Sequence, residues 1–205
     1  MLNRSLNVRT IAILYFFLFS GCGDSQRNVF QRIADTLDVS LETSVVWRFS
    51  VDDGSEETWE FTPISSEAER TLSLTRQATL GGIALPNPRQ DLYRIDALGL
   101  TWLRQGDCAV QSPPCRRLIS EPLLLRVPFP SVMELETTEV QIEPTVSTTG
   151  RLRTRGEQDG LHFEFTYGWN WDGDGEGVWR LETGAGVQEF TEVIAGGSPR
   201  LGTRL

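Results

Sequence analysis

The sequence predicts an all-β fold, an antiparallel sheet arranged as a sandwich or a partly open half-barrel, with a short helix ahead of it. Three observations carry this expectation. Between Val45 and Ile194, apolar and polar residues alternate in one stretch after another, the period of strands with a single buried face. Clusters of Gly, Asp, Asn and Pro break these stretches at short intervals, as hairpin connections require. Apolar residues at helical spacing occur over one short segment near residue 30. A chain of 205 residues suffices for one such domain and hardly for two.

The elements follow in chain order. Residues 1–10 carry Arg4 and Arg9 and no acid, and residues 11–20 (IAILYFFLFS) are uncharged and apolar. Ten residues of helix reach about 15 Å, half of the roughly 30 Å hydrocarbon core, so the run reads as a signal-peptide core and not as a span. Val29, Phe30, Ile33 and Leu37 then share one face of a short helix, with Asp24 or Ser25 as its cap. Val45, Trp47, Phe49 and Val51 make the first strand, and Trp59 and Phe61 continue it after a turn at residues 52–55. Leu72 and Leu74 mark a third strand, and residues 91–103 a fourth with a bulge near Gly99. Leu123, Leu125, Val127 and Phe129 alternate next. The strongest pattern is residues 161–171, where Leu161, Phe163, Phe165, Tyr167, Trp169 and Trp171 face one way and His162, Glu164 and Thr166 the other. Residues 178–181 return, a turn at 184–186 follows, and residues 187–194 form the last strand. The tail from Gly196 is expected to fray. The organisation is therefore signal peptide 1–21, anchor and tether 22–40, one β domain 41–195, and tail 196–205.

Composition excludes several chemistries. Acids outnumber bases 28 to 19, every base is arginine, and there is one histidine. Without lysine there is no Schiff base and no phosphate-loop lysine, and a single histidine excludes a multi-histidine metal centre. The net charge of −9 repels nucleic acid and anionic headgroups. Cys108 and Cys115 bracket AVQSPP and read as a disulfide, a local staple of roughly 2–3 kcal/mol. Their spacing is not that of a redox pair, and zinc would find only His162 as an imidazole. Asp172, Asp174 and Glu176 alternate as in the first half of a calcium loop, but Thr183 stands where the bidentate glutamate belongs. A hairpin tip explains the Asp-Gly pairs. His162, on the polar face, has no serine elbow to serve, so no catalytic residue is assigned and no cofactor is expected. Phe163, Phe165, Tyr167, Trp169, Trp171 and Trp179 form either the core of a sheet face or the lining of a cavity for an apolar ligand.

Two resemblances add to this reading. Leu18-Phe19-Ser20-Gly21-Cys22 resembles the lipobox of bacterial lipoproteins, with the usual leucine one place early. The resemblance implies cleavage before Cys22, lipidation of that cysteine, and membrane attachment through the lipid. Gly23 at the next position implies sorting to the outer membrane, facing the periplasm. A lipoprotein signal, a short helix and a long run of antiparallel strands also look like the half-barrel carriers and receptors of the LolA and LolB type. The function expected is a non-enzymatic binding or interaction module on the envelope, with a protein partner. The alternative is a carrier or receptor for an apolar, lipid-like ligand.

Overall fold

The computed structural model describes residues 29–64, 70–86, 88–106, 116–143, 148–171, 174–194 and 197–205. Residues 29–36 form the expected helix, α1. The strands are β1 (Val45–Val51), β2 (Glu56–Ile64), β3 (Thr71–Leu80), β4 (Ile83–Ala84), β5 (Arg89–Asp96), β6 (Gly99–Gln105) and β7 (Arg116–Leu118). They continue as β8 (Leu123–Arg126), β9 (Val132–Glu143), β10 (Thr148–Asp159), β11 (His162–Trp169), β12 (Gly175–Glu182), β13 (Gly186–Ile194) and β14 (Arg200–Arg204). Every pairing is antiparallel.

The sheet closes on itself. β2 pairs β3, β14 pairs β1, and β7 joins β6 to β9, so twelve strands run round an up-and-down barrel. β4 pairs only β3, and β8 pairs β6 alongside β7. The antiparallel all-β expectation holds, but the half-barrel is too open a description. The closing strand lies in the tail expected to fray: Glu192 to Glu189 of β13 and Phe49 to Val51 of β1 both pair with residues 200–204. Its arginine and glycine content hid it, because its inward phase is Arg200, Gly202 and Arg204, with no apolar side chain to mark it. The fourth expected strand is two, β5 and β6, folded at a turn over Ala97 and Leu98. Leu161, expected to face inward, sits in the β10–β11 turn and is exposed.

The barrel has two chemically distinct ends. At the near end lie the starts of β1, β3, β6, β9, β11 and β13. Here α1 packs across the opening, with Ile33, Ala34 and Leu37 buried in the core. The Gly184 N–H donates to Thr36 O at 2.9 Å, and Arg204 Nη2 pairs with Asp38 at 2.7 Å. Phe129 enters from the β8–β9 connection and stacks on Phe163 at 5.0 Å. The residues expected to be tether therefore belong to the folded body from Val29 onward.

The interior is filled by aromatics set against glycines. In the β11–β12 register, Trp169 faces Gly175 and Tyr167 faces Gly177; on β13–β14, Phe190 faces Gly202. A Cβ on any of these glycines would overlap the ring opposite it. Each ring thus lies in the space its neighbour leaves, which packs large side chains at interior density. Outside, β10, β11 and β12 carry Arg151, Arg153, Arg155, Glu164 and Glu176, all exposed. An Arg on a lipid-facing wall costs about 2–4 kcal/mol at a bilayer midplane.

Candidate functional site

The far end holds a buried ionic cluster. Glu57 on β2, Arg76 on β3, Asp91 on β5 and Glu192 on β13 are each under a tenth exposed, and Arg89 on β5 stands beside them. All five occupy inward slots, in phase with Trp59 and Phe61, Leu72 and Leu74, Tyr93 and Ile95, and Phe190. Arg76 Nη1 and Nη2 grip Glu192 at 3.1 and 2.8 Å, and its Nε donates to Glu57 Oε1 at 2.7 Å. Trp59 Nε1 donates to the same oxygen at 2.7 Å. Arg89 joins Glu192 at 2.5 Å to Asp91 at 2.9 Å. Arg200 on β14 covers the group and reaches Glu57 Oε2 at 3.1 Å. Arg76 also lies over the Trp59 ring at 4.5 Å, and Arg89 over Trp169 at 5.5 Å, so the cations are held between carboxylates and aromatic faces.

Electrostatics follow from this enclosure. Burial alone would push the Glu192 carboxyl up, but Arg76 and Arg89 outweigh it and hold it at about 2. Asp91 goes the other way: burial outweighs Arg89 and Arg76 and raises its carboxyl above the usual range. Burial likewise pushes the phenols of Tyr93 and Tyr167 up. Each buried carboxylate has a guanidinium within 3.1 Å, so the cluster ties four strands together. At neutral pH, Glu192 is a poor proton acceptor because it stays ionised until strongly acidic conditions.

Two clefts flank the cluster and share Glu192 and Arg200. One of about 480 Å³ is lined by Asp52, Asp53 and residues 197–200. The other, about 150 Å³, lies beneath Leu85 and Pro86 and reaches Arg76 and Arg89. Beside it the end of the barrel strand β3 turns back into β4, which lies off the barrel path, through Gly81 and Gly82, both at positive φ. Gln77 Nε2 donates to Ala78 O and Leu85 O, each at 2.8 Å, bracing the hairpin base. At its tip Leu80 is 52% and Ile83 is 73% exposed. A rigid strand pair presenting apolar tips beside a charged cleft has the make-up of a protein-binding anchor with a polar rim.

Of the six aromatics expected to form a site, Trp169 touches the cluster beneath Arg89, and the set as a whole belongs to the barrel interior. Phe163, Phe165, Tyr167, Trp169, Trp171 and Trp179 are all buried in mid-barrel, with ring centroids 5.1 to 6.1 Å apart along β11 and β12. Trp102 packs on Trp169 and Trp171 at 6.0 and 5.7 Å, and Trp171 Nε1 donates to Gln105 at 2.5 Å. Rings fill the space between rings. His162 is half-buried at the near end, opposite Asp159 and Glu182 in the ladders. Asp174 and Glu176 are exposed at the β11–β12 connection, whereas Asp172 lies outside the described residues. Among the described residues no group of three or more metal-ligating side chains comes together. Cys22, Cys108 and Cys115 also lie outside the described residues.

Among the described residues, strand pairing leaves a seam open in the barrel wall. β7 closes it at the far end, where Arg117 and Leu118 pair with Glu143 and Ile142. Toward the near end β8 takes the place of β7 but does not pair with β9, and Arg126 to Glu136 at 3.3 Å spans the gap. Glu136, registered beside the inward Thr154, is half exposed there.

The ionic residues are visible in the sequence as charges occupying the apolar phase of alternating strands. Against protein-family models, curated proteins and solved structures, the chain finds no match. Function therefore rests on the geometry.

Proposed function

We propose that this chain is a bacterial envelope lipoprotein, anchored through Cys22 to the outer membrane and facing the periplasm. It acts as a non-enzymatic binding module through the far end of its barrel. The observation that carries the reading is the position of α1. Cys22 stands seven residues before Val29, a reach of at most about 25 Å. Because α1 packs across the near end, a lipid at Cys22 holds that end to the membrane. The projecting hairpin and charged cleft then face away from it, where a protein partner can reach them. A disulfide between Cys108 and Cys115 would staple the β6–β7 connection, which leaves the barrel at the same far end. The packed rings of β11 and β12 favour this reading over a lipid carrier, which needs an interior that can be vacated.

The test has two parts. Cys22→Ser should abolish acyl labelling and release the protein from membranes; persistent labelling sinks the anchor. A photo-crosslinking residue at Ile83 should give a discrete protein adduct in intact cells, and the same residue at Glu164 on the wall should give none. Equal adducts at both positions, or none at Ile83, would remove the far end as the binding face.

A further inference from the structure

We propose that an arc of the near-end rim is a second, lipid-facing surface, on which the barrel rests and by which its orientation is fixed. This rests on the lipid-anchored reading above and deepens it. The near end carries exposed apolar side chains at separate places round the ring. They are Ile64 at the end of β2, Leu98 in the β5–β6 turn, Val132 at the start of β9 and Leu161 in the β10–β11 turn. In barrel order they are spread along the part of the rim that runs from β2 through β3, β5, β6, β7, β9 and β10 to β11, and the exposed Leu205 after β14 stands at the same end outside it. Leu98 is 60% and Leu161 is 78% exposed, although each sits in a two-residue turn where a polar residue costs nothing.

The start of α1 lies over the same arc. Arg70 stacks on Phe30 at 3.5 Å, and the Arg70 carbonyl accepts from Ile95 N–H at the β5 edge, next to the Leu98 turn. The start of α1 therefore lies by Arg70, which is bonded to the end of β5 three residues before Leu98. With at most about 25 Å of chain available, the arc cannot stand far from the lipid that holds Cys22. Carboxylates at the two turns are already engaged. Asp96 accepts from Leu98 N–H at 2.9 Å and from the Thr101 hydroxyl, and Asp159 pairs with Arg180 at 3.2 Å. Asp159 and the exposed Glu157 stand just behind Leu161 and Val132, which limits insertion to the apolar tips. The acyl chains supply the attachment; the rim supplies the orientation, keeping the hairpin at Ile83 pointed outward.

The experiment uses the full acylated protein in vesicles of phosphatidylethanolamine and phosphatidylglycerol containing a lipid with a diazirine on its acyl chain. After irradiation and digestion, lipid adducts should map to the peptides carrying Leu98 and Leu161 and be missing from the peptide carrying Ile83. The double variant L98D/L161D should lose both barrel adducts while still floating with the vesicles, and an unchanged near-ultraviolet circular dichroism spectrum would show it folded. Adducts confined to the N-terminal segment, or as strong at Ile83, in a protein that floats would overturn the rim and leave the anchor standing. A protein that neither carries acyl groups nor floats would overturn both.

Discussion

The wall from β10 to β14 and the seam between β8 and β9 are the same sheet built to opposite tolerances. Along β11 and β12 eight consecutive residue pairs are in register, and two of the inward pairs, Tyr167 with Gly177 and Trp169 with Gly175, set a ring against a glycine. Along the near half of β9, residues 134–137 are exposed in sequence, the ladder to β10 shifts at Thr154, and no described strand pairs the outer edge. Closure of the barrel therefore depends on a few strongly built contacts. β14 is gripped between β1 and β13, β7 holds the far end, and the ionic cluster ties β2, β3, β5 and β13 across the interior.

This difference predicts where substitutions hurt most. The largest effect belongs to Glu192→Gln, which leaves Arg76 and Arg89 short of their shared anion in a buried setting. Breaking a buried pair from one side costs about 3–5 kcal/mol. Chemical denaturation should show that loss, and an effect under 1 kcal/mol would mean the cluster is wetter than its burial indicates. The same residue gives a pH signature. Its carboxyl is held at about 2, below the value it has unfolded, so its contribution is present above the ordinary carboxylate range. That contribution is lost as pH falls toward 2. Asp91, raised by burial, has the opposite sign and offsets part of the loss. Stability measured from pH 5 to pH 2 should fall more steeply in the native protein than in the Glu192→Gln variant; parallel curves would reassign the acid sensitivity to other groups.

Next comes Gly177→Ala. Its new methyl would stand inside the Tyr167 ring, which is itself stacked on Phe165 at 5.7 Å and Trp169 at 5.8 Å. Overpacking of this kind costs about 1–3 kcal/mol. A thermal melt should register it, and the double variant with Tyr167→Leu should recover part of the loss. No recovery would show that the glycine serves the backbone and not the ring.

The same contrast explains what could be read from the sequence. β1, β2 and β11 were legible because their inward slots hold Val, Phe, Tyr and Trp at a period of two, whereas in β13 a register shift separates Val187 from Phe190. β10 was not, since its inward slots are Gly150, Leu152, Thr154 and Gly156, small residues that make room for Trp171 and Phe163 opposite. β14 was missed for the same reason: Gly202 lies beneath Phe190. Strand pairing across the barrel had no sequence signal at all, because closure is set by which edges remain free. The charged far end was half legible. Glu57, Arg76, Asp91 and Glu192 stand in apolar phase, and a charge in that phase is worth reading as a buried partner awaiting its counter-ion. The projecting hairpin was missed because Leu80 and Ile83 are apolar, and apolar residues in strands are expected inside.

The smallest effect should be at the seam. Arg126→Ala removes the pair to Glu136, but both side chains are about half exposed and water screens them, so the loss should be 0–1 kcal/mol, roughly the range for surface pairs. The backbone gives the sharper readout. On the side facing β8, the amides of β9 between Val132 and Val140 have no strand partner among the described residues, so they should exchange with solvent at rates near those of a loop. The amides of β11, bonded on both sides, should exchange only through unfolding of the barrel. Arg126→Ala should leave both rates unchanged. Slow exchange along β9 in the isolated protein would mean that another segment of the chain covers the seam. Protection at β9 that appears only in the membrane-bound, acylated protein would instead place the seam, together with the rim at Val132, against whatever lies at the near end.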